Sequence, residues 1–289
     1  MIDLSYPESM KNQKSILISG CSSGIGRSVA QGLASRGYQV IATARKTKDV
    51  GALQAEGFTA LRLDLDSSDS IAQAVDETLR ITEGRLYALF NNGAYGQPGA
   101  VEDLTRETLR QQFETNLFGW HELTCRVIPA MRQAGEGRII QNSSILGIMT
   151  LPYRGAYVAS KYALEGLSDT LRLELAGSGV HVSLIEPGPI TSRFRDNALK
   201  KWQQNIDAEH SCHRTHYQAL LARLEKEGPA MPFTLPPEAV LKRVIHALES
   251  SRPKARYPVT FPTYLFTLLR RILTSRGMDR VLLRISDRG

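Results

Sequence analysis

Cysteine is scarce in this 289-residue chain: Cys21, Cys125 and Cys212 stand far apart and are odd in number. That excludes a disulfide framework and points to a reducing compartment. Long apolar runs are missing as well. The opening MIDLSYPESMKNQKS holds no apolar core of the length a secretory signal needs, and no stretch approaches the roughly 20 apolar residues that span a bilayer. Residues 1–14 therefore read as a short leader, and the expected location is the cytoplasm. Internal repeats and low-complexity segments are absent too. With 42% hydrophobic and 22% charged residues, the composition excludes a disordered chain and allows a sizeable core.

An even spread of charge is also lacking. The net charge is +7, and residues 252–289 carry all of it: eight arginines and Lys254 stand against Asp279 and Asp287. The rest is neutral, so whatever the basic charge does, it does at the C-terminal end.

What the chain does have is alternation. Short β-branched runs at Ser15–Ser19, Tyr38–Thr43, Thr59–Leu63, Leu86–Phe90, Arg138–Asn142 and Val180–Glu186 alternate with helical periodicity over Gly24–Arg36, Ser67–Thr82, Arg106–Arg132 and Tyr153–Gly177. Such alternation predicts a single α/β domain over 15–289, a doubly wound (Rossmann) parallel sheet with helices on both faces. A helix from Pro237 to about Ser250 and a strand around Arg256–Val259 bring the strand count to about seven. Residues 191–235, polar and rich in His, read as a helical lid over the carboxyl ends of the strands, where ligands bind. Residues 252–289 read as a basic amphipathic tail.

Gly20-Cys21-Ser22-Ser23-Gly24-Ile25-Gly26 follows the first strand and opens into a helix, whose N-terminal N–H groups attract a pyrophosphate. Glycines serve where the backbone must turn sharply or approach phosphates, although a Gly/Ser cluster alone is equally a tight turn. The second strand ends Ala42-Thr43-Ala44-Arg45-Lys46 with no carboxylate for an adenosine ribose. A guanidinium forks onto phosphate, so Arg45, helped by Lys46 and Ser23, favours NADP(H) over NAD(H); the competing reading is a solvated loop.

Tyr157 and Lys161 stand four apart on one helix face. A neighbouring ammonium and a cationic nicotinamide are expected to lower the phenol pKa into a range useful for proton transfer. Lys161 would also hold ribose hydroxyls, and Ser144 would donate to the substrate oxygen. A Tyr-x-x-x-Lys pair alone is a weak signal, and its neighbours decide.

Taken together, these motifs resemble those of the short-chain dehydrogenase/reductase family. Its glycine motif is matched by Gly20, Gly24 and Gly26, and its Asn-Asn-Ala-Gly motif by Asn91-Asn92-Gly93-Ala94 with the last two exchanged. Asn116, Ser144, Tyr157 and Lys161 match its catalytic set. Pro187-Gly188-Pro189-Ile190-Thr191 matches the loop after its sixth strand, and Asp64-Leu65 its adenine position. The resemblance implies a dinucleotide held by Gly20, Ser22, Ser23, Gly24, Ile25, Gly26, Arg45, Asp64, Leu65, Asn91, Gly93, Tyr157, Lys161, Pro187, Gly188, Ile190 and Thr191. It also implies that Asn116 distorts its helix and holds a water that relays protons to Lys161. The finer likeness is to the hydroxysteroid and retinol dehydrogenase-like branch, which implies hydride transfer between NADP(H) and a lipophilic carbonyl or alcohol, in subunits paired as dimers or tetramers. The alternative is a catalytically weak NADP(H)-binding sensor or scaffold.

Two features stay open. His210, Cys212, His213 and His216 can be metal ligands or a solvated lid helix; the implied chemistry requires no metal. The tail's apolar face can close the pocket, pack on another subunit, or lie on an anionic membrane. No recognition motif accompanies the charge, which argues against nucleic acid.

Overall fold

The structure, a computed structural model, describes residues 13–226, 228 and 231–286. Most of the expected leader lies outside these residues, although Lys14 already belongs to the fold: its carbonyl accepts from the Gln39 N–H at 3.0 Å. Seven strands form one parallel sheet in the order β3-β2-β1-β4-β5-β6-β7. They are β1 (Ser15–Ile18), β2 (Gln39–Ala44), β3 (Thr59–Arg62), β4 (Ala88–Asn91), β5 (Gly137–Asn142), β6 (Val180–Glu186) and β7 (Arg256–Pro258). Observed strand ends differ from the expected ones by one or two residues. The order reverses between β1 and β4, which opens a crevice at their carboxyl ends.

Both faces of the sheet are covered, because the strand side chains are apolar on either side. On one face, Ile16, Ile18, Ala42 and Phe90 pack against Val29, Ala30 and Leu33 of α1 (Gly24–Ala34), Val50 and Leu53 of α2 (Thr47–Ala55), and Val240 and Val244 of α9 (Glu238–Glu249). On the other, Leu17, Leu89 and Ile139 meet Ile71 and Val75 of α3 (Ser68–Ile81), Trp120, Leu123 and Val127 of α5 (Gly119–Ala134), and Leu164 of α6 (Gly155–Glu174). Ser67 caps α3, its hydroxyl accepting from the Ser70 N–H. Helix α2 was not foreseen: no element was expected between the second and third strands, and the helix buries only Val50 and Leu53.

The helix expected over 106–132 is broken. α4 (Arg106–Phe113) passes through a π-helical segment, Glu114–Phe118, before α5 begins. The lid is also more ordered than a polar segment suggests. Its two helices, α7 (Phe194–Asn205) and α8 (Arg214–Glu225), bury Ala198, Trp202, Ile206, Tyr217, Leu220 and Leu224 against Ala100 and the partly buried Tyr153. The Tyr217 hydroxyl accepts from the Ala100 N–H at 2.9 Å, and Asn205 donates to Gln97 at 2.7 Å. The basic tail forms α10 (Phe261–Ile272) and α11 (Ser275–Ser286). One side of this pair closes over the loop after β5: Phe266 and Leu282 pack on Met149, with Ile145, Leu146 and Leu151 alongside.

Candidate active site

All the motif loops leave the carboxyl ends of β1, β4, β5 and β6, so parallel topology gathers them at one edge. Gly20 has φ +73°, and a Cβ there would lie 2.6 Å from Gly93 Cα; a Cβ on Gly26 would lie 2.3 Å from the Gly20 carbonyl oxygen. Only hydrogen fits where these two loops and α1 converge. Ser23 begins α1 without a capping bond from its side chain, and no acid stands in the first turn. The leading N–H groups of α1 therefore remain available to an anion. This is a cradle into which a dinucleotide pyrophosphate fits, lined by Gly20, Ser22, Ser23, Gly24 and Ile25.

A polar brace behind the cradle fixes the two loops. The Ser19 hydroxyl accepts from the Asn92 and Gly93 N–H groups at 2.8 and 2.9 Å. The Asn92 amide donates to the Ser19 and Gly20 carbonyls and accepts from Asn142. Asn91 is different. Its side chain is fully buried and donates to Thr124 and Gln141, so it holds β4 to β5 and α5 and faces away from the cradle. Trp120, which carried no sequence signal, donates to the Gly93 carbonyl at 2.8 Å.

The remaining cofactor candidates ring the same edge. Arg45 is exposed just beyond β2, and its guanidinium makes no hydrogen bond or ion pair among the described residues. Leu65 is buried against Gly93, and the Asp64 N–H donates to Ser70 at 3.0 Å. The Pro187 carbonyl accepts from the Ile145 N–H at 2.7 Å, which ties the loop after β6 to the one after β5. Gly188 leaves no space for a side chain beneath Thr260. Ile190 and Thr191 pair with Leu235 at the foot of the lid.

The four catalytic candidates come together. Ser144 caps a short 3-10 turn, its hydroxyl accepting from the Leu146 N–H at 3.1 Å, and that hydroxyl draws the pKa of the Tyr157 phenol downward. One turn along α6, Lys161 is 1% exposed; its Nζ donates to the Asn142 carbonyl at 2.8 Å, sits 4.1 Å above the Trp120 ring and lies 5.7 Å from the Tyr157 centroid. Asn116 lies at the centre of the π-helical segment, fully buried. Its amide donates to the Tyr95 carbonyl at 2.9 Å and to Ser160 at 3.3 Å, and its oxygen accepts from the Tyr95 N–H. The helix is thus distorted where the family likeness implied.

The electrostatics correct one expectation. Burial pushes the Tyr157 phenol up to about 12, against a downward pull from the Ser144 hydroxyl, instead of the lowering expected from Lys161. Burial also drives the Lys161 ammonium down to about 7, partly opposed by Glu165. Burial disfavours the charged form of both groups.

Phe194, at the start of α7, was not foreseen either. Its ring meets Tyr157 edge-on at 5.2 Å and fills the space over Gly96. The first side chain of α7 thus lies against the phenol ring. The His-rich run divides: His213 bonds Glu102 at 2.5 Å and Tyr153 at 3.3 Å, His210 pairs with Asp207, and His216 stacks on Tyr153. Glu102, Cys212 and His213 bring their donor atoms within 4.8 Å of one another, and mutual hydrogen bonds already engage them.

A doubly wound sheet with this glycine cradle and a buried Ser-Tyr-Lys group defines a nucleotide-dependent oxidoreductase. A family model for short chain dehydrogenase matches residues 14–203, and the chain belongs to that family. Among its relatives, the uncharacterized oxidoreductase YbbO of Escherichia coli K12 is 47% identical over 270 residues, covering 93% of this chain and 94% of that one. Human 17-beta-hydroxysteroid dehydrogenase type 1 is 34% identical, over 85% of this chain and 77% of its own. This places the chain near the hydroxysteroid branch. A short-chain dehydrogenase from Streptomyces avermitilis superposes with a TM-score of 0.73 at 26% identity, covering 96% of each chain.

Proposed function

We propose that this enzyme interconverts a lipophilic aldehyde or ketone and its alcohol by hydride transfer with NADP(H). NADP(H), when bound, supplies or accepts the hydride; the protein's work is to hold both reactants and to move one proton. Tyr157 gives its phenolic proton to the carbonyl oxygen in reduction and takes the alcohol proton in oxidation. Ser144 donates a hydrogen bond to the same oxygen, and Lys161 anchors ribose hydroxyls while its charge steadies the phenolate. Asn116 positions a water that returns protons to Lys161. The residues named for the glycine cradle hold the pyrophosphate, and Arg45 takes the 2′-phosphate.

A buried Tyr157 phenol, with the Lys161 ammonium 5.7 Å from its ring centroid and the Ser144 hydroxyl acting on it, carries this reading. A lipophilic substrate is favoured by Phe194, whose ring meets the phenol edge-on at 5.2 Å. Exposed Phe118, Leu167 and Leu173 favour subunits paired through the helices of residues 106–132 and 153–177. Three free cysteines fit a reducing cytoplasm.

NADPH oxidation against a panel of aliphatic and aromatic aldehydes and ketones tests the assignment, with Tyr157→Phe as control. Turnover by the native enzyme and its loss in the variant, by about 10²- to 10⁴-fold with NADPH binding retained, is expected. Full turnover in Tyr157→Phe rejects it.

A further inference from the structure

We propose that the outer face of the two C-terminal helices docks this enzyme on an anionic phospholipid surface, a property that stands apart from the reaction proposed above. The inner face of α10 and α11 is spent on the fold. Thr263 and Phe266 are buried, and Arg270 is held inward, donating to the Ile148 carbonyl at 3.0 Å and lying over the Tyr162 ring. The opposite face of α10 is largely exposed among the described residues, with Arg243 donating to the Tyr264 hydroxyl at its edge. Phe261, Tyr264, Leu265, Leu268 and Ile272 recur at helical spacing along it, and Phe261, Leu268 and Ile272 are 59%, 55% and 67% exposed. Phe233, also exposed, extends the stripe through its ring contact with Phe261 at 5.2 Å.

The charge of these two helices is almost wholly of one sign. Arg271 flanks it, and Arg276, Arg280 and Arg284 recur every fourth residue on one side of α11, all exposed. Asp279 is the single acid in residues 261–286. An exposed apolar face on a helix pair this rich in arginine matches an interfacial helix, whose apolar side enters the headgroup boundary while cations meet acidic lipids. Each helix is 12 residues long, and no helix among the described residues is long and apolar enough to cross a membrane, so the pair would lie in the plane of the surface. A second copy of the chain is the poorer occupant. Two such faces pressed together would oppose arginine to arginine, whereas an anionic bilayer neutralises them.

Co-sedimentation of the full chain with phosphatidylcholine vesicles, with and without phosphatidylglycerol, tests the proposal. The native enzyme is expected to pellet with the anionic vesicles at low salt and to be released by high salt. Leu268→Glu with Ile272→Glu should abolish pelleting. Arg276→Glu with Arg280→Glu, which spares the apolar stripe, should weaken partitioning at least tenfold, at roughly fivefold per arginine lost. Circular dichroism and NADPH binding report that each variant is folded. Failure of the native enzyme to pellet at low salt overturns the proposal. So does a native dimer that Ile272→Glu splits while lipid binding is unchanged; that result assigns the face to a second copy.

Discussion

The Nζ of Lys161 lies 5.7 Å from the centroid of the Tyr157 ring, one turn further along α6, and both side chains are buried. In that setting neither group holds its charge easily, with the phenol at about 12 and the ammonium at about 7. Carbonyl reduction needs the protonated phenol, which persists across the neutral range. Alcohol oxidation needs the phenolate, whose population grows with pH. For the free enzyme, kcat/KM for reduction should therefore be insensitive to the phenol at neutral pH, while kcat/KM for oxidation climbs into the alkaline range. The Ser144 hydroxyl pulls the phenol down, so Ser144→Ala should move the oxidation limb to higher pH as well as lowering its plateau. A limb displaced to lower pH would show that Ser144 does not act on Tyr157.

Two glycine-to-alanine substitutions separate cradle from scaffold. At Gly26 the new methyl would press on the Gly20 carbonyl, 2.3 Å away, so the glycine loop must shift. A loss of about 1–3 kcal/mol in stability is expected, together with impaired NADPH binding, measured by thermal denaturation and by fluorescence titration. Gly51 lies inside α2 with nothing within 4 Å. Gly51→Ala should leave binding unchanged and raise stability by up to about 1 kcal/mol, because alanine favours the helix.

Much of this architecture was legible before any coordinates, because strand–helix alternation and the position of each motif after a strand both follow from local chemistry. Gly20, Ser144, Tyr157 and Lys161 could be located in this way. Trp120 and Phe194 could not. Each is one apolar residue among many in a helical stripe, and only the crossing of α5 beneath Lys161, or the return of the lid over Tyr157, gives it a role. Asn91 shows the converse. It belongs to the motif but its side chain is used within the sheet, since consecutive residues on a strand face opposite sides. The direction of the Tyr157 shift was also beyond reach, because pairing with Lys161 is visible in sequence and depth of burial is not.

Arg45 offers a direct view of cofactor choice. It is exposed at the end of β2, and residues 42–46 contain no carboxylate to receive ribose hydroxyls. A charge-assisted contact of this type contributes about 1.5–3 kcal/mol. Arg45→Ala should thus weaken NADPH binding by about ten- to a hundredfold while leaving NADH affinity near its native value, as read by isothermal titration with each nucleotide. An equal loss for both nucleotides would place Arg45 outside the phosphate site.

Behind the catalytic lysine, Arg256 of β7 gathers three acids: Glu165 at 2.5 Å, Asp169 at 2.6 Å and Glu186 at 3.4 Å. One guanidinium cannot neutralise three carboxylates: burial pushes Glu165 up, and Glu186, 1% exposed, goes up to about 7 through burial and Glu165. Its unfolded value is near 4.5. Between these two values the folded state binds more protons than the unfolded one, so Glu186 makes stability fall as pH rises from about 4.5 to about 7. Lys161 acts in the opposite sense. Its folded value, about 7, lies below its unfolded 10.5, so across that interval the unfolded state binds more protons and stability rises with pH. Glu186→Gln keeps a group able to accept from Arg256 and removes the titration. In denaturant unfolding at a series of pH values it should gain on the native enzyme by an amount that grows from pH 4.5 to 7, to the order of 1–3 kcal/mol, and then levels off. Lys161→Met should show its change only above pH 7, its advantage over the native enzyme shrinking toward pH 10.5. A Glu186→Gln curve parallel to the native one throughout would mean that Arg256 keeps all three carboxylates ionised.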